Sequence, residues 1–468
     1  MPLNKDINKT IEEFKTILRA NESFDLIYRT ININLRTACF FFIDGLVKDA
    51  VMEKMLEFLY STKDDEAFKD AHSFSKSCVP YIEVDITDDK EKICTNILSG
   101  MFVLMVDGFE QAIVIDVRTY PQRDTSEPAT DKVLRGSRDG FVETLVSNTA
   151  LIRRRIRNPN LTMKIFSVGK LSKSDVVVSY MENKVDKKLL SDICNRIKNA
   201  KVDSLTMNQQ SLIEAIYHYK WYNPFPKIKH SERPDTAASA ILEGNIVILV
   251  DNSPSAIILP TSIFDILEEA DDYYFPPFTG TYLKLSRYLI GLFTLIITPL
   301  WLLFLKNPWM IPPWLEFINV TDKINLPIFW QLLALELIID GLRLASLHTP
   351  DSITTTLSVI AAIVLSDFAV QSGWFNAESM LYMAFVAMAN YAQPSIELGY
   401  CLKFLRVFLL ILTAVFNILG FIIGLILMFL LMLSNKTVSG KHYLYPLIPF
   451  NGKKLLTKVF RTRAKVSE

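Results

Sequence analysis

The sequence has no excess of charge of either sign, and it contains few cysteines. Lysine plus arginine and aspartate plus glutamate number 50 each, so the formal net charge is zero. A protein that binds nucleic acid needs a basic excess to displace counterions from phosphate, so we expect no nucleic-acid partner. The five cysteines are scattered without paired spacing, which indicates neither a zinc motif nor a disulfide framework and fits a reducing compartment.

The motifs of nucleotide-binding proteins and of common hydrolases are also missing. The sequence contains neither GxxxxGK(S/T) nor GxGxxG, and neither GxSxG nor HExxH. Its histidines show no metal spacing, so we expect no enzyme activity, no metal ion and no cofactor. The first residues, MPLNKDINKT, lack the apolar core of a signal peptide, and we expect the soluble part that follows to lie in the cytoplasm.

Long apolar runs, in contrast, dominate the last third of the chain. A bilayer core is about 30 Å thick and takes about 20 apolar residues of helix to cross. The sequence therefore predicts an α-helical polytopic membrane domain at 283–434, with about five or six crossings, followed by a basic tail at 435–468. The runs are separated only by short polar breaks: Tyr288–Leu305, Ile324–Leu342, Ile353–Val370, Met380–Tyr391 and Leu402–Leu433.

The last of these runs is too long for one ordinary crossing. As a single helix it would extend about 48 Å, so it is either a long tilted helix or a hairpin that turns near Asn417–Gly420. Gly420 and Gly424 form a GxxxG pair, which permits close contact between helices. The basic flanks Lys284, Arg287, Lys403 and Arg406, together with the basic tail, place both termini in the cytoplasm and favour the hairpin.

An α/β soluble region with two subdomains is predicted ahead of the membrane domain. The first subdomain is 1–75 and ends in a polar linker, Ser61–Ser77; the second is 76–282 and ends in a tether, Glu268–Gly280. An amphipathic helix containing Ile7 and Phe14 opens the first subdomain. The other predicted elements are strands Phe24–Ile33, Thr37–Ile43, Phe102–Val106, Gln111–Arg118, Met163–Val168, Asp175–Met181, Ile246–Val250 and Ala256–Leu259, and helices Val47–Tyr60, Lys90–Leu98, Asp186–Asn199 and Ser211–Tyr219.

One segment of the second subdomain is not typical of a generic α/β domain. Arg135-Gly136 and Asp139-Gly140 are candidates for an anion-binding nest ahead of a predicted helix whose apolar face contains Phe141, Leu145, Leu151 and Ile152. The run Arg153-Arg154-Arg155 faces acidic lipid, the carboxylates of a neighbouring subunit or solvent; the composition does not choose among these.

The same segment carries a resemblance to a known family. RGSRDGF followed by ETLVSNTALIRRRIR resembles the signature of the A subunits of GerA-type spore germination receptors, and the likeness continues through WYNPFPKIKHSERPDTAASAILEG and VDNSPSAIILP. RTYP, WYNPFP and SERPDTAA together resemble the stage V sporulation branch of that family. The signature residues become candidates for subunit contacts: Arg135, Gly136, Arg138, Asp139, Gly140, Phe141, Asn148, Arg153, Arg154 and Arg155.

The resemblance implies a location and partners that the residues alone do not. It implies an integral protein of the inner membrane of the bacterial spore, with its soluble N-terminal region on the cytoplasmic side. It also implies a homo-oligomer that conducts ions and works with other germination membrane subunits. A non-conducting scaffold for a transporter-like receptor subunit is the alternative, and binding of a small germinant to the soluble region stays open.

The second apolar run supplies the candidate pore residues. Glu336, Asp340 and Arg343 are spaced by four and three residues, which places them on one stripe of a helix. Either Asp340 and Arg343 neutralise each other, or Glu336 presents an unpaired carboxylate to a water-filled path and favours cations. Asp367 and Glu397 either extend that polar path or mark the bilayer boundary.

Overall fold

The computed structural model describes residues 3–62, 66–119, 131–217, 220–348 and 367–461. The chain divides into two compact units. The first, unit 1, is Met1–Tyr219 with Ile228–Pro260, and the second, unit 2, is Lys220–Lys227 with Thr261–Glu468.

Unit 1 contains two five-stranded antiparallel sheets. The first sheet has the order β1-β2-β4-β5-β3 and is covered by helices on both faces. Successive residues of its second strand therefore point to opposite cores, as with Phe40 in one and Phe41 in the other. The strands are β1 Leu26–Ile33, β2 Arg36–Ile43, β3 Val84–Thr87, β4 Phe102–Val106 and β5 Ala112–Ile115, and the helices are α1 Ile7–Leu18, α2 Asp49–Ser61, α3 Ala71–Cys78 and α4 Lys90–Leu98.

The first sheet takes strands from both sides of the subdomain boundary expected between residues 75 and 76. β3, β4 and β5 were assigned to the second subdomain, yet they complete the sheet of β1 and β2. The expected linker Ser61–Ser77 is wrong, because a 3₁₀ turn and α3 lie in it. Ala71, Phe74 and Cys78 are buried on one face of α3. Because α3 has so few apolar residues, its helical periodicity was too weak to predict a helix.

The second sheet of unit 1 has the order β6-β7-β9-β10-β8. The predicted hairpin of β9 and β10 is confirmed, and Asn252 adopts a positive φ of 58° at its turn, a conformation that asparagine tolerates. The α/β class of the N-terminal region is therefore confirmed. The strands are β6 Leu161–Val168, β7 Ser174–Met181, β8 Lys229–Ser231, β9 Ile246–Val250 and β10 Ala256–Leu259, and the helices are α5 Leu145–Arg155, α6 Lys187–Lys198, α7 Asn208–Ile216 and α8 Pro234–Glu243.

Unit 2 is helical. Among the residues that the structure describes, two helices of unit 2 are long and apolar enough to cross a bilayer, α11 and α15. Most of the third predicted run, Ile353–Val370, lies outside the described residues. The helices are α9 Ile263–Ile266, α10 Asp271–Tyr274, α11 Pro277–Lys306, α12 Ile328–His348, α13 Asp367–Gln371, α14 Ala377–Tyr391, α15 Ile396–Ser434 and α16 Gly452–Val459.

The long element α15 is two helices that fold back on each other. The backbone leaves the helical region at Asn417, with φ 53° and ψ −130°. A Cβ atom at Gly420 would overlap the carbonyl oxygen of Leu412, and one at Gly424 would lie 2.5 Å from Cδ1 of Leu409. Residues so far apart along one straight helix would not meet, so α15 is a hairpin whose two glycines permit the close approach.

Candidate functional site

An ionic network joins α12 to α15 inside the helical bundle of unit 2. Glu336 of α12 accepts a hydrogen bond from Arg406 of α15, with Nε 2.6 Å from Oε1. Arg406 also donates from Nη1 to the carbonyl oxygen of Thr294 on α11, at 3.1 Å. The side chains of Glu336 and Arg406 are 7% and 1% exposed, so this pair is fully enclosed by the protein.

Lys403, one turn before Arg406 on α15, binds both carboxylates of the acidic helix. Its Nζ lies 3.7 Å from Oε2 of Glu336 and donates to the carbonyl oxygen of Glu336 at 3.2 Å. It also forms an ion pair with Asp340, whose side chain is 33% exposed. The network therefore holds two cations and two anions, and Asp340 is its most accessible member.

Neither expected arrangement of the acidic stripe is correct. Glu336 is not unpaired, and the cations that neutralise Glu336 and Asp340 come from another helix rather than from Arg343. The Arg343 guanidinium instead lies over the rings of Tyr400 and Tyr391, at 4.8 and 5.5 Å from their centroids. Sequence reasoning missed the pairing because the partners are more than sixty positions apart and leave no local spacing pattern.

Lys403 and Arg406 themselves were misassigned. We expected them to be basic flanks at the end of a crossing, but they are 7% and 1% exposed within α15. They therefore do not indicate which side of the membrane the chain ends on. Two basic residues three positions apart inside an apolar helix could have indicated that they face carboxylates on another helix, such as α12.

The two remaining pore candidates do not join the network. Asp367 is the first residue of α13, and its side chain lies outside the described part of the chain. Glu397 is exposed in the first turn of α15, just after the N-cap Ser395. Nearby, Asn390 Oδ1 and Gln393 Oε1 are buried without a hydrogen-bond partner among the described residues.

A second ionic cluster surrounds the start of α11, and sequence reasoning missed it as well. Asp272, which is fully buried, accepts two hydrogen bonds from Arg287 at 2.9 and 3.1 Å. Lys284, 1% exposed, lies 2.8 Å from Glu268. Lys284 and Arg287, which we took for simple basic flanks, are thus bound to carboxylates of the expected tether.

The signature segment of unit 1 is also built from internal contacts. Arg153 on α5 is 1% exposed and donates to Asp25 at 3.0 and 3.2 Å, which joins α5 to the start of β1. The Asn148 side chain donates to the carbonyl oxygen of Val142 at 2.6 Å and accepts from its amide at 2.8 Å. Phe141 is buried in the core of the second sheet.

Asp139 and Arg155 form an ion pair at 2.5 Å, with Ser137 hydrogen-bonded to both side chains. Partial burial raises the pKa of Asp139, but the hydrogen bonds from Arg155 and Ser137 outweigh it and hold that pKa below its ordinary value. The segment is therefore ordered by charge pairing within one chain.

Two expectations about this segment change accordingly. The amides that follow Gly140 are already bonded within the chain: Phe141 donates to the Glu232 carbonyl oxygen at 2.8 Å, Val142 to Asn148, and Leu145 to Asp251 at 3.3 Å. They are therefore not available to an anion, and a nest at Arg135-Gly136 and Asp139-Gly140 stays a prediction. Of the candidates for subunit contact, Gly140, Phe141, Asn148 and Arg153 are buried within unit 1. Arg135, Gly136, Arg138 and Arg154 are exposed, and Asp139 and Arg155 are partly exposed and paired with each other.

Among the described residues, no group of three or more His, Cys, Asp and Glu side chains is placed to hold a metal ion.

Comparison with known proteins gives the family. The family model described as Bacillus/Clostridium GerA spore germination protein matches residues 12–468. The stage V sporulation protein AF of Bacillus subtilis (strain 168) is 36% identical over 455 residues, which are 97% of this chain and 92% of that protein. Spore germination protein KA of the same organism is 26% identical over 469 residues, 98% of this chain and 85% of that protein.

A solved structure is also similar. It is the N-terminal domain of the A subunit of the Bacillus megaterium spore germinant receptor GerK3, with 25% identity and a TM-score of 0.42, covering 55% of this chain and 96% of that one. The resemblance expected from the signature segment is confirmed by the family match along almost the whole sequence. With its two apolar candidate spans, this chain is a membrane-type protein that belongs to the GerA family of spore germination proteins.

Proposed function

We propose that this protein oligomerises in the spore inner membrane and conducts ions during germination, together with other germination membrane subunits. The observation that carries the proposal is the ionic network of Glu336, Asp340, Lys403 and Arg406 within the apolar helices. Charged side chains inside a bilayer are costly and commonly mark ion pathways. Four charged side chains in contact within apolar helices therefore favour a role in ion movement over helix packing alone.

The network separates into a fixed part and an accessible part. Glu336 and Arg406 are enclosed and hydrogen-bonded to each other, which makes this pair the anchor between α12 and α15. Asp340 is one-third exposed and is bound by Lys403 alone among the charged groups of the network. Asp340 is therefore the carboxylate that water reaches first.

Conduction requires Asp340 to face water rather than Lys403. In the arrangement described here the two acids and two bases sum to zero charge, which suits a non-conducting state. A small shift of α12 relative to α15 would part Asp340 from Lys403 and leave Glu336 with Arg406. A ring of Asp340 carboxylates around an oligomer axis would then favour cations.

The soluble region and the C-terminal tail belong on the cytoplasmic side in this proposal. The hairpin of α15 returns the chain to the side from which it entered, and the tail that follows is rich in lysine and arginine. In this proposal a different, transporter-like subunit senses the nutrient, and this chain associates with it.

A scaffold that moves no ions is the second candidate. It is favoured by the complete pairing of Glu336 and Arg406 within one chain, because a purely structural bundle also requires its buried charges to be paired. A scaffold would use the network only to fix α12 against α15.

Potassium flux from proteoliposomes that contain the purified protein tests the proposal. The parent would be compared with Asp340→Asn and with the double variant Glu336→Gln, Asp340→Asn. Glu397→Gln is the matched control, because it neutralises an exposed acid of the same unit outside the network. Each protein would first be checked for folding and oligomer size.

The proposal expects flux in the parent and in Glu397→Gln, and at least a tenfold loss in Asp340→Asn. The double variant leaves Arg406 without its carboxylate, so a loss there counts only if the protein keeps its oligomer size. Equal flux in all four proteins would show that α12 does not line the ion pathway. No flux from a well-assembled parent would support the scaffold.

A further inference from the structure

We infer that the C-terminal segment Phe450–Phe460 is an interfacial anchor that binds the anionic phospholipids of the leaflet beside it. The segment contains the basic helix α16, Gly452–Val459, capped by the Asn451 side chain, which accepts from the Lys454 amide at 3.1 Å. This inference goes beyond ion conduction and does not depend on it.

The inner side of the segment is fixed to the base of the membrane helices. Lys458 lies 2.6 Å from Asp265 and 3.0 Å from Glu268. Tyr288 of α11 donates to the carbonyl oxygen of Lys458 at 3.3 Å, and the Arg461 amide donates to Thr281 of α11 at 3.1 Å. The helix is therefore held against the first turns of a candidate span.

The level of these contacts on α11 is the boundary of the membrane. Phe278 and Tyr282 are exposed before Tyr288, but that stretch of the helix also contains the charged Lys284 and Arg287. Arg287 is the last charged residue of α11 before Lys306, and beyond it the helix exposes Leu289 (54%), Leu292 (53%) and Phe293 (52%). Such side chains on a membrane helix face lipid. Since α16 contacts α11 just before this stretch, it lies at the depth of the lipid headgroups.

The outer side of the segment carries the chemistry that binds an anionic interface. Leu456 and Phe460 are 58% and 45% exposed and lie side by side at a spacing of four residues, and Phe450 is 74% exposed. Lys453 and Lys454 are both exposed, and Lys453, three residues before Leu456, lies beside this apolar pair. Apolar side chains beside lysines are typical of helices that lie in the membrane interface.

The charge of the surrounding sequence favours the same occupant. Between Glu397 and Glu468 the chain contains no aspartate or glutamate, while Lys436, Lys441, Lys453 and Lys454 all lie there. No ion pair joins Lys453 or Lys454 to any acid within 3–62, 66–119, 131–217, 220–348 and 367–461; Lys454 only lies over the Tyr445 ring, at 5.5 Å. An anionic leaflet supplies the charge that the protein does not.

Hydrogen exchange of the full-length protein in nanodiscs tests the anchor. One set of discs would contain only phosphatidylcholine, and the other would also contain phosphatidylglycerol. Lysines near an anionic surface are attracted to it, so the amides of residues 452–460 should exchange at least tenfold more slowly in the anionic discs.

Lys453→Glu with Lys454→Glu should remove this difference between the two lipids. Both positions are in the first turn of α16, where acidic side chains favour the helix, so the variant keeps its secondary structure. The control is Lys187→Glu with Lys188→Glu, an adjacent exposed pair at the start of α6 in unit 1. It should keep the full difference.

Leu456→Ser with Phe460→Ser should speed exchange in the anionic discs, because the apolar pair no longer enters the leaflet. Equal exchange of the parent in the two kinds of disc would overturn the inference. The inference would also be overturned if exchange in detergent, without lipid, became slower as the protein concentration rose, and if Lys453→Glu with Lys454→Glu did not change this. That result would identify a second copy of the chain as the occupant.

Discussion

Arg153 joins the two sheets of unit 1 through one side chain. Its guanidinium donates to Asp25, the residue before β1 of the first sheet, and to the Leu161 carbonyl oxygen on β6 of the second, and Nη2 also lies 3.3 Å from Ser23. Sequence reasoning singled out Arg153 but expected it to face acidic lipid, another subunit or solvent. A run of three arginines indicates a charged surface, and only the folded chain reveals that the first of them is enclosed.

Arg153→Ala should therefore destabilise unit 1 by about 3–5 kcal/mol, because it leaves Asp25 buried without its cation. Exchange of the β1 and β6 amides in the full-length protein would measure the loss. Arg154→Ala, at the exposed neighbouring position, should change stability by less than about 0.5 kcal/mol. Similar losses in the two variants would show that the Arg153 pair does not join the sheets.

The ion pair of Asp139 should make the stability of unit 1 depend on pH. Since its folded-state pKa is below the ordinary value of 3.8, its contribution is fully present above about pH 4 and disappears as the pH falls through the lowered value. Asp139→Asn should thus cost about 1 kcal/mol at pH 7 and progressively less at acid pH. Thermal unfolding of the parent and of Asp139→Asn across that pH range would measure the difference in stability. A difference that grows as the pH falls would contradict the prediction.

At the scale of elements, the sequence predicted those whose pattern is local. The strands of the β9–β10 hairpin are short apolar runs on either side of a turn signal, and the structure has them where expected. α3 was missed because its apolar positions are few and lie among polar residues. The boundary between the sheets was misplaced because strand pairing is non-local: β3 follows α3 along the chain but pairs with β5.

The hairpin of α15 gives the prediction at this scale. Gly420→Ala should destabilise the bundle by about 2–4 kcal/mol, because its Cβ meets the rigid backbone of Leu412. Gly424→Ala should cost less, since Leu409 can move its Cδ1 away. Gly341→Ala on α12 is the control, because a Cβ there meets nothing within 4 Å.

Thermal aggregation of the three glycine variants in detergent would rank them. The expected order of stability is Gly341→Ala highest, then Gly424→Ala, then Gly420→Ala. A Gly420→Ala protein as stable as the Gly341→Ala control would mean that the two arms of α15 do not approach closely at this point.

At the scale of the whole molecule, family membership and the ionic network lead to one account. The acidic stripe on α12 could be read from the sequence, but its partners on α15 could not, since ion pairs between distant helices follow no spacing rule. In the proposed channel, Glu336 and Arg406 hold the bundle together and Asp340 lines the ion path.

The reversal potential of the purified oligomer in a planar bilayer, under a potassium chloride gradient, tests this account most directly. The parent and Glu397→Gln should reverse close to the potassium equilibrium potential, because Asp340 favours cations. Asp340→Asn should reverse closer to zero as that preference is lost. A reversal potential that Asp340→Asn leaves unchanged, or the absence of current from a verified oligomer, would contradict the account.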